Sequence, residues 1–322
     1  MSAEMNALTI TELSKTFPLP KPLFGKARPG VRAVRPLSLQ VRKGETLGIV
    51  GESGCGKSTL ARMLVGLIPP STGQIEIAGK ALDTADPAAF GRLIQYVFQD
   101  PISSLNPRKT IRQILEVPLK QLHGMDRAAR EARIAEIFGS VNLRAEFLER
   151  YPHEFSGGQA QRIGIARALA AAPEILILDE PVSALDVSVQ AQVLNLLGQL
   201  RRDLGLTYLF ISHDLAVVEA ISDRVVVLYF GAVVEVGRAE EIFNSPRHPY
   251  TRLLAESAPV VGRPLSAPEQ KGSELPDPLN PPAGCAFAGR CPRATDLCRR
   301  EDPALRQMGE DQLAACHHPL ET

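Results

Sequence analysis

Nine consecutive residues carry the first chemical signal. Residues 51–59 read G-E-S-G-C-G-K-S-T, and Gly51, Gly56, Lys57 and Ser58 fall on the G-x-x-x-x-G-K-[ST] spacing. A glycine-permitted loop of this kind turns successive backbone N–H groups inward, here those of Ser53, Gly54, Cys55 and Thr59. The helix that follows aims its positive dipole end at an anion. Lys57 is expected to reach the β- and γ-phosphates of a nucleotide, and Ser58 to bind Mg²⁺ through its hydroxyl. Cys55 fills a variable slot of the loop and is expected to have no chemistry of its own. A second signal is I-L-I-L-D-E-P at residues 175–181. There Asp179, at the exit of a buried strand, is placed to face Mg²⁺, and Glu180 to activate a water. A third is F-S-G-G-Q at residues 155–159, where Ser156 is a good N-cap and two glycines let a backbone lie close to an anion.

These groups need strands that end where helices begin, and the pattern supplies them. Residues 45–50 are a short apolar run that feeds the phosphate loop, and residues 57–67 recur at helical spacing until Pro69-Pro70. Upstream, residues 7–17 alternate well enough for an edge strand, residues 18–30 read as a surface loop, and residues 37–41 as a strand. Strands are also expected at 73–79 and 94–98, followed by helical segments near 110–123, 126–141 and 144–151, a helical subdomain of about 101–155. Alternation then resumes, with helices at 157–172, 187–204 and 215–221 and strands at 175–178, 207–211 and 224–229. Alternation of this kind indicates a sheet covered on both faces. Residues 231–236 suit an antiparallel addition, and 251–257 a last helix.

Composition limits the function classes. Among 322 residues, Lys+Arg and Asp+Glu balance at 36 each, which argues against a polybasic protein held to nucleic acid or lipid by excess charge. The most apolar window, residues 225–234, is half the roughly 20 residues a spanning helix needs. With no export signal at the N-terminus, a soluble cytosolic chain is expected, its five cysteines reduced or liganded rather than paired. Nine of the 26 prolines lie between Pro259 and Pro303, so residues 258–322 read as a linker and a small tail poor in core residues, distinct from a domain of residues 1–257.

Taken in order, the motifs resemble those of ATP-binding-cassette (ABC) ATPases over about residues 5–257. They are the phosphate loop, a glutamine loop at Gln99 in V-F-Q-D-P, the Ser156-Gly157-Gly158-Gln159 signature, the Asp179-Glu180 strand end, S-A-L-D ending in Asp186, and I-S-H-D with His213. The resemblance implies an α/β fold: an ABC-type phosphate-loop ATPase core with an antiparallel β subdomain, an inserted α-helical subdomain and a small C-terminal cysteine-containing extension. It also implies roles. Glu180 is the catalytic base, His213 contacts the γ-phosphate, and Gln99 helps to bind Mg²⁺ and the attacking water. Asp186 works across a dimer interface, and Ser156, Gly158 and Gln159 serve the nucleotide of a partner cassette. Phe17 sits where the family places an adenine-stacking aromatic, which is physically reasonable, though an edge-core residue is the alternative.

Further segments are similar to ATPases of oligopeptide and dipeptide importers, closest to their F-type subunit: D-P-I-S-S-L-N-P-R after Gln99, Y-P-H-E before the signature, S-P-R-H-P-Y-T-R-L-L at 245–254, and N-P-P-A-G-C-A-F-A-G-R-C-P at 280–292 with A-C-H-H-P at 315–319. The implied partners are a D-type second ATPase subunit, two transmembrane permease subunits and an extracytoplasmic solute-binding protein, with the chain peripheral on the cytoplasmic face of the membrane and no nucleic acid bound. Nickel and glutathione importers share this architecture. A soluble ABC ATPase acting on nucleic acid or ribosomes, and a redox protein centred on the tail, are poorer fits to a single cassette of zero formal charge. Cys285, Cys291, Cys298 and Cys316 are spaced C-x₅-C, C-x₆-C and C-x₁₇-C, without the C-x-x-C knuckles usual for zinc. A 4Fe–4S cluster, zinc with His317 or His318 as substitute ligands, and free thiols are all compatible with that spacing. Some members of the resembled group carry such a cluster there, so the expectation is 4Fe–4S, beside ATP and Mg²⁺.

Overall fold

The short apolar runs become strands of a parallel sheet, which, covered on both faces, hides every side chain of a five-residue segment. The computed structural model describes residues 6–19, 30–81, 87–257 and 275–321. In chain order the first elements are β1 (Asn6–Phe17), β2 (Val31–Arg42), β3 (Thr46–Val50), α1 (Lys57–Leu64), β4 (Thr72–Ile77), β5 (Lys80–Ala81), α2 (Pro87–Leu93) and β6 (Ile94–Val97). Then come α3 (Ile111–His123), α4 (Arg127–Ser140), α5 (Gly157–Leu169), β7 (Ile175–Asp179), α6 (Val187–Leu204), β8 (Thr207–Ile211), α7 (Leu215–Ile221) and β9 (Arg224–Tyr229). The chain continues with β10 (Ala232–Arg238), α8 (Ala239–Asn244), α9 (Pro249–Ser257), α10 (Asp296–Arg300), β11 (Arg306–Gln307) and β12 (Leu313–Ala314).

Two sheets result. An antiparallel one runs β2-β1-β4-β5, and a mixed one runs β11-β12-β10-β9-β3-β8-β7-β6. In the second, β9, β3, β8, β7 and β6 are mutually parallel, so their carboxyl ends share one edge. That edge is where open parallel sheets bind ligands. Every residue of β3, β7 and β8 is buried. One apolar cluster fills the space between the two sheets, including Leu8, Leu39, Ile49 and Met63. A second joins the other face of the mixed sheet to α3, α4, α5 and α6.

Several expectations shift. β1 is not an edge strand: it pairs with β2 on one side and β4 on the other, through contacts distant in sequence that its alternation cannot reveal. The segment near 144–151 forms no α-helix but two 3₁₀ turns, Ala145–Glu149 and Pro152–Glu154. Pro152 has no N–H with which to continue a helical ladder. Most of the 18–30 loop and the 258–274 part of the linker lie outside the described residues. The tail adds to the mixed sheet, where β12 pairs antiparallel with β10, matching Glu235 to Ala314 and Val236 to Leu313.

Candidate nucleotide site

The phosphate loop connects the carboxyl end of β3 to the start of α1. Gly56, the residue before α1, has φ +105°, and a Cβ there would stand 2.4 Å from the Ala33 carbonyl oxygen, so only glycine fits. Lys57 is buried, and its ammonium donates to the carbonyls of Gly51 (2.6 Å) and Glu52 (3.1 Å). Its weak third contact is Cys55 Sγ at 3.8 Å. Of the three ammonium donors, two therefore brace the loop on itself. Cys55 is buried, and desolvation pushes its thiol upward, which makes it a poor nucleophile. Ser53 and Gly54 are exposed at the loop tip, and Ser58 and Thr59 are half-buried. Phe17 pairs with Val31 in the register of β1 and β2, two residues from the Ala33 carbonyl that faces Gly56. Its ring, 38% exposed, is free enough to take a stacking partner, and Lys15 Nζ lies 5.2 Å from its centroid.

Asp179 and Glu180 stand on the same edge, at the end of β7. Asp179 is buried and accepts a hydrogen bond from the Tyr96 hydroxyl on the neighbouring β6. Burial and that carboxylate push the Tyr96 phenol far up, so it remains a donor. Glu180 adopts φ +48°, an uncommon conformation for a glutamate, while its N–H donates to the Ile211 carbonyl at 2.8 Å. Gln99, beyond β6, donates Nε2–H to Glu180 Oε2 at 3.0 Å, and His213, beyond β8, places Nδ1 3.1 Å from Glu180 Oε1. Three motifs from three strand ends thus meet on one carboxylate. Both its oxygens are oriented, and His213, 62% exposed, forms the outer lip.

The signature is laid out differently. Ser156 precedes α5 and its N–H donates to Gln159 Oε1 at 3.1 Å, a local cap. A Cβ on Gly158 would meet Val189 Cγ1 at 2.4 Å, so packing of α5 against α6 by itself demands glycine there, beyond any need for backbone close to an anion. Asp186 precedes α6 and is exposed, next to Val187, which is 81% exposed. Glu52, Tyr96, Tyr250 and Arg290 were not anticipated. An acidic residue inside an anion-binding loop is the signal that could have exposed the first of them.

The four tail cysteines do converge, but they form no metal centre. Cys285, Cys291, Cys298 and Cys316 line one space of about 10 Å³ with His248, His317 and His318. Among the described residues, no group of three or more His, Cys, Asp or Glu side chains could hold a metal ion. His318 Nε2 bonds Thr295 Oγ1 and His317 Nε2 bonds the Glu301 carbonyl, each at 2.9 Å. Burial pushes the Cys285 thiol up to about 11 and raises those of Cys291 and Cys316, which favours neutral packing groups over thiolates. The 4Fe–4S cluster expected from the sequence is therefore not supported, because these four thiols form no metal-binding group. What orders the tail is attachment to the cassette: the β10–β12 pairing, Phe287 wedged against Tyr229 and Tyr250, and Gln312 Nε2 donating to Glu235 at 2.8 Å.

Comparisons with known proteins identify the family. A family model described as ABC transporter matches residues 34–183, and one described as oligopeptide/dipeptide transporter, C-terminal region, matches residues 234–298. The oligopeptide transport ATP-binding protein AppF of Bacillus subtilis (strain 168) is 46% identical, over 96% of this chain and 96% of its own length. The dipeptide transport ATP-binding protein DppF of Haemophilus influenzae is 48% identical, over 95% of this chain and 94% of its own. Among solved structures, cbiO1 of Clostridium perfringens, part of the ABC transporter complex cbiONQ, superposes with a TM-score of 0.65 at 26% identity, covering 75% of this chain and 92% of that one. The cassette MJ0796, in a dimeric post-hydrolysis state bound to ADP and Pi, gives 0.64 at 28% identity, covering 72% and 98%. ATP and Mg²⁺ fit a site of this kind, and the chain belongs to the ATP-binding proteins of ABC transporters, in the oligopeptide/dipeptide group, and is an ATPase.

Proposed function

We propose that this chain powers the import of di- or oligopeptides, with Glu180 as the base that activates water against the γ-phosphate of ATP. The observation that carries the reading is the junction of Gln99, His213 and Glu180 at the strand edge that also holds the phosphate loop. Similarity to oligopeptide and dipeptide transport proteins along nearly the whole chain supports the solute class.

In this reading Lys57 keeps two donors on its own loop and turns the third from Cys55 Sγ to a phosphate oxygen. Ser58, Asp179 and the amide oxygen of Gln99 are hard oxygen donors suited to Mg²⁺. Bound there, the ion neutralises charge on the transferring phosphate. Tyr96 keeps Asp179 aimed, and Gln99 and His213 keep Glu180 aimed, so that Glu180 takes a proton from water as the water attacks the γ-phosphorus and the bridging bond to the ADP oxygen breaks, releasing ADP and phosphate. Phe17 stacks on adenine. Ser156, Gly158, Gln159 and Asp186 act on the nucleotide of a second, D-type cassette, consistent with the dimeric form of the similar cassette MJ0796. A helix N-terminus closing over the γ-phosphate adds electrostatic stabilisation. Among the described residues no helix is long and apolar enough to cross a membrane. Similarity to oligopeptide and dipeptide transport ATP-binding proteins supports a peripheral subunit on the cytoplasmic face, docked on two permease subunits that receive solute from a binding protein.

The test is ATPase activity of the full complex in liposomes. Peptide-loaded binding protein is expected to stimulate hydrolysis and labelled peptide to accumulate. Hydrolysis that ignores the loaded receptor, or that answers only to nickel- or glutathione-loaded receptor, overturns the proposal.

A further inference from the structure

Glu52, the first variable residue of the phosphate loop, puts a carboxylate beside a site built for a polyanion. The tail answers it. Arg290 Nη1 and Nη2 each donate to one Glu52 carboxylate oxygen at 2.8 Å, a bidentate pair with both side chains mostly sheltered from solvent. The backbone N–H of Glu52 donates to the Tyr250 hydroxyl at 2.9 Å. Arg290 is itself held over the Tyr229 and Phe287 rings, 5.8 and 5.6 Å from their centroids, and its N–H donates to the Phe287 carbonyl at 3.0 Å. Tyr229, Tyr250 and Phe287 pack on one another at 4.5–5.4 Å. β9, which neighbours the strand that feeds the loop, the helix α9 and the tail therefore converge on one loop residue. The Glu52 carbonyl in turn accepts from Lys57, the ammonium that meets phosphate in the reading above.

We propose that Arg290 is a positioning residue for ATP: it neutralises and fixes Glu52, so that the C-terminal extension holds the phosphate loop in its anion-receiving form. The inference rests on the reading that this loop binds ATP, and parent and variants separate the two. Loss of Arg290 leaves an uncompensated carboxylate next to the triphosphate and frees the first residue of the loop. The effect falls on ATP binding, because the Gln99–Glu180–His213 junction lies on other strand ends.

The experiment measures ATP Kd, KM and kcat in the assembled transporter for R290A, for R290A with E52Q, and for the amide pair R290Q with E52Q. R290A is expected to raise Kd and KM for ATP about tenfold with kcat within about twofold. Adding E52Q is expected to recover most of the affinity, because it removes the charge that Arg290 covers. A merely structural role for Arg290 is not rescued that way, since the tail has lost the same anchor in both proteins. Should R290A misfold, R290Q is measured as well: R290Q/E52Q keeps hydrogen bonding without the charges and is expected to bind ATP more tightly than R290Q. Parent-like Kd in R290A, or no recovery on adding E52Q, overturns the clamp. A parent protein that binds no ATP overturns instead the reading on which it rests.

Discussion

Gln99 and Glu180 are joined by a 3.0 Å hydrogen bond from the amide Nε2 to carboxylate Oε2, although 81 residues separate them. The bond crosses from the end of β6 to the end of β7, adjacent parallel strands, and His213 approaches the other carboxylate oxygen from the end of β8. Gln99 leads into the helical subdomain, so any displacement of that subdomain bears directly on the carboxylate. Glu180 is left with two fixed oxygens and a backbone in the left-handed region, a conformation that persists only where its surroundings enforce it.

Replacing that carboxylate tests its role most directly. Glu180→Gln keeps size and hydrogen-bonding ability but cannot take a proton at neutral pH. Turnover of the assembled transporter is expected to fall by about 10²- to 10⁴-fold, with ATP still bound. Steady-state phosphate release together with equilibrium nucleotide binding checks both halves. Turnover near that of the parent rules out Glu180 as the base.

Tyr96→Phe removes the one hydroxyl that Asp179 receives from β6. The buried carboxylate then lacks a partner, which costs about 1–3 kcal/mol of stability. It also loses its aim, and the Mg²⁺ concentration that half-activates hydrolysis is expected to rise about tenfold, the scale seen when a ligand's supporting partner is deleted. Mg²⁺ titration of the ATPase rate reads this. An unchanged midpoint detaches Tyr96 from the ion site.

Gly158→Ala is a packing prediction. The new Cβ meets Val189 Cγ1 at 2.4 Å, and a β-branched side chain on a helix cannot swing aside. Overpacking of this kind costs about 1–3 kcal/mol, so Tm drops. Val189→Ala in the same protein is expected to restore most of the loss. Failure of that rescue shifts the reason for glycine from packing to the close approach of a ligand.

Much of this arrangement was legible in the residues. α6, β8, α7 and β9 match their sequence limits: β8 and β9 are five- and six-residue apolar runs between turn signals, the pattern of a buried parallel strand, and α6 and α7 each start directly after an aspartate. Phosphate loop, acidic strand end and signature were legible as motifs because each needs a particular strand-to-helix junction. The partners of those motifs were not. Tyr96 reads as one more apolar strand residue until β6 is laid beside β7, and Arg290 as one more tail charge until the chain returns to Glu52. The cysteines misled for a related reason. Four thiols in a core-poor tail suggest a ligand, whereas β12 and Phe287 hold the tail on core that the cassette already owns. Two-residue strands have no periodicity by which to be anticipated.

That attachment carries a pH signature at His248. Its ring is buried against Phe287, with centroids 5.8 Å apart, and its Nδ1 accepts the Tyr250 N–H at 3.0 Å. Burial lowers its pKa from the ordinary 6.5 to about 4. The folded state thus favours the neutral ring, and protonated Nδ1 can no longer accept. The sign follows: the contribution is complete above pH 6.5 and is lost as pH falls from 6.5 towards 4. Glu235, which accepts the His248 N–H at 2.8 Å, acts in the opposite sense, since burial raises its pKa and its contribution fades as pH rises. Between pH 7.5 and 5 the His248 share is about 2 kcal/mol. His248→Asn retains an acceptor oxygen without a group that titrates, so its stability in denaturant titrations is expected to fall less between those pH values than that of the parent. Equal falls in the two proteins remove His248 as the source, and a larger fall in the variant reverses the sign.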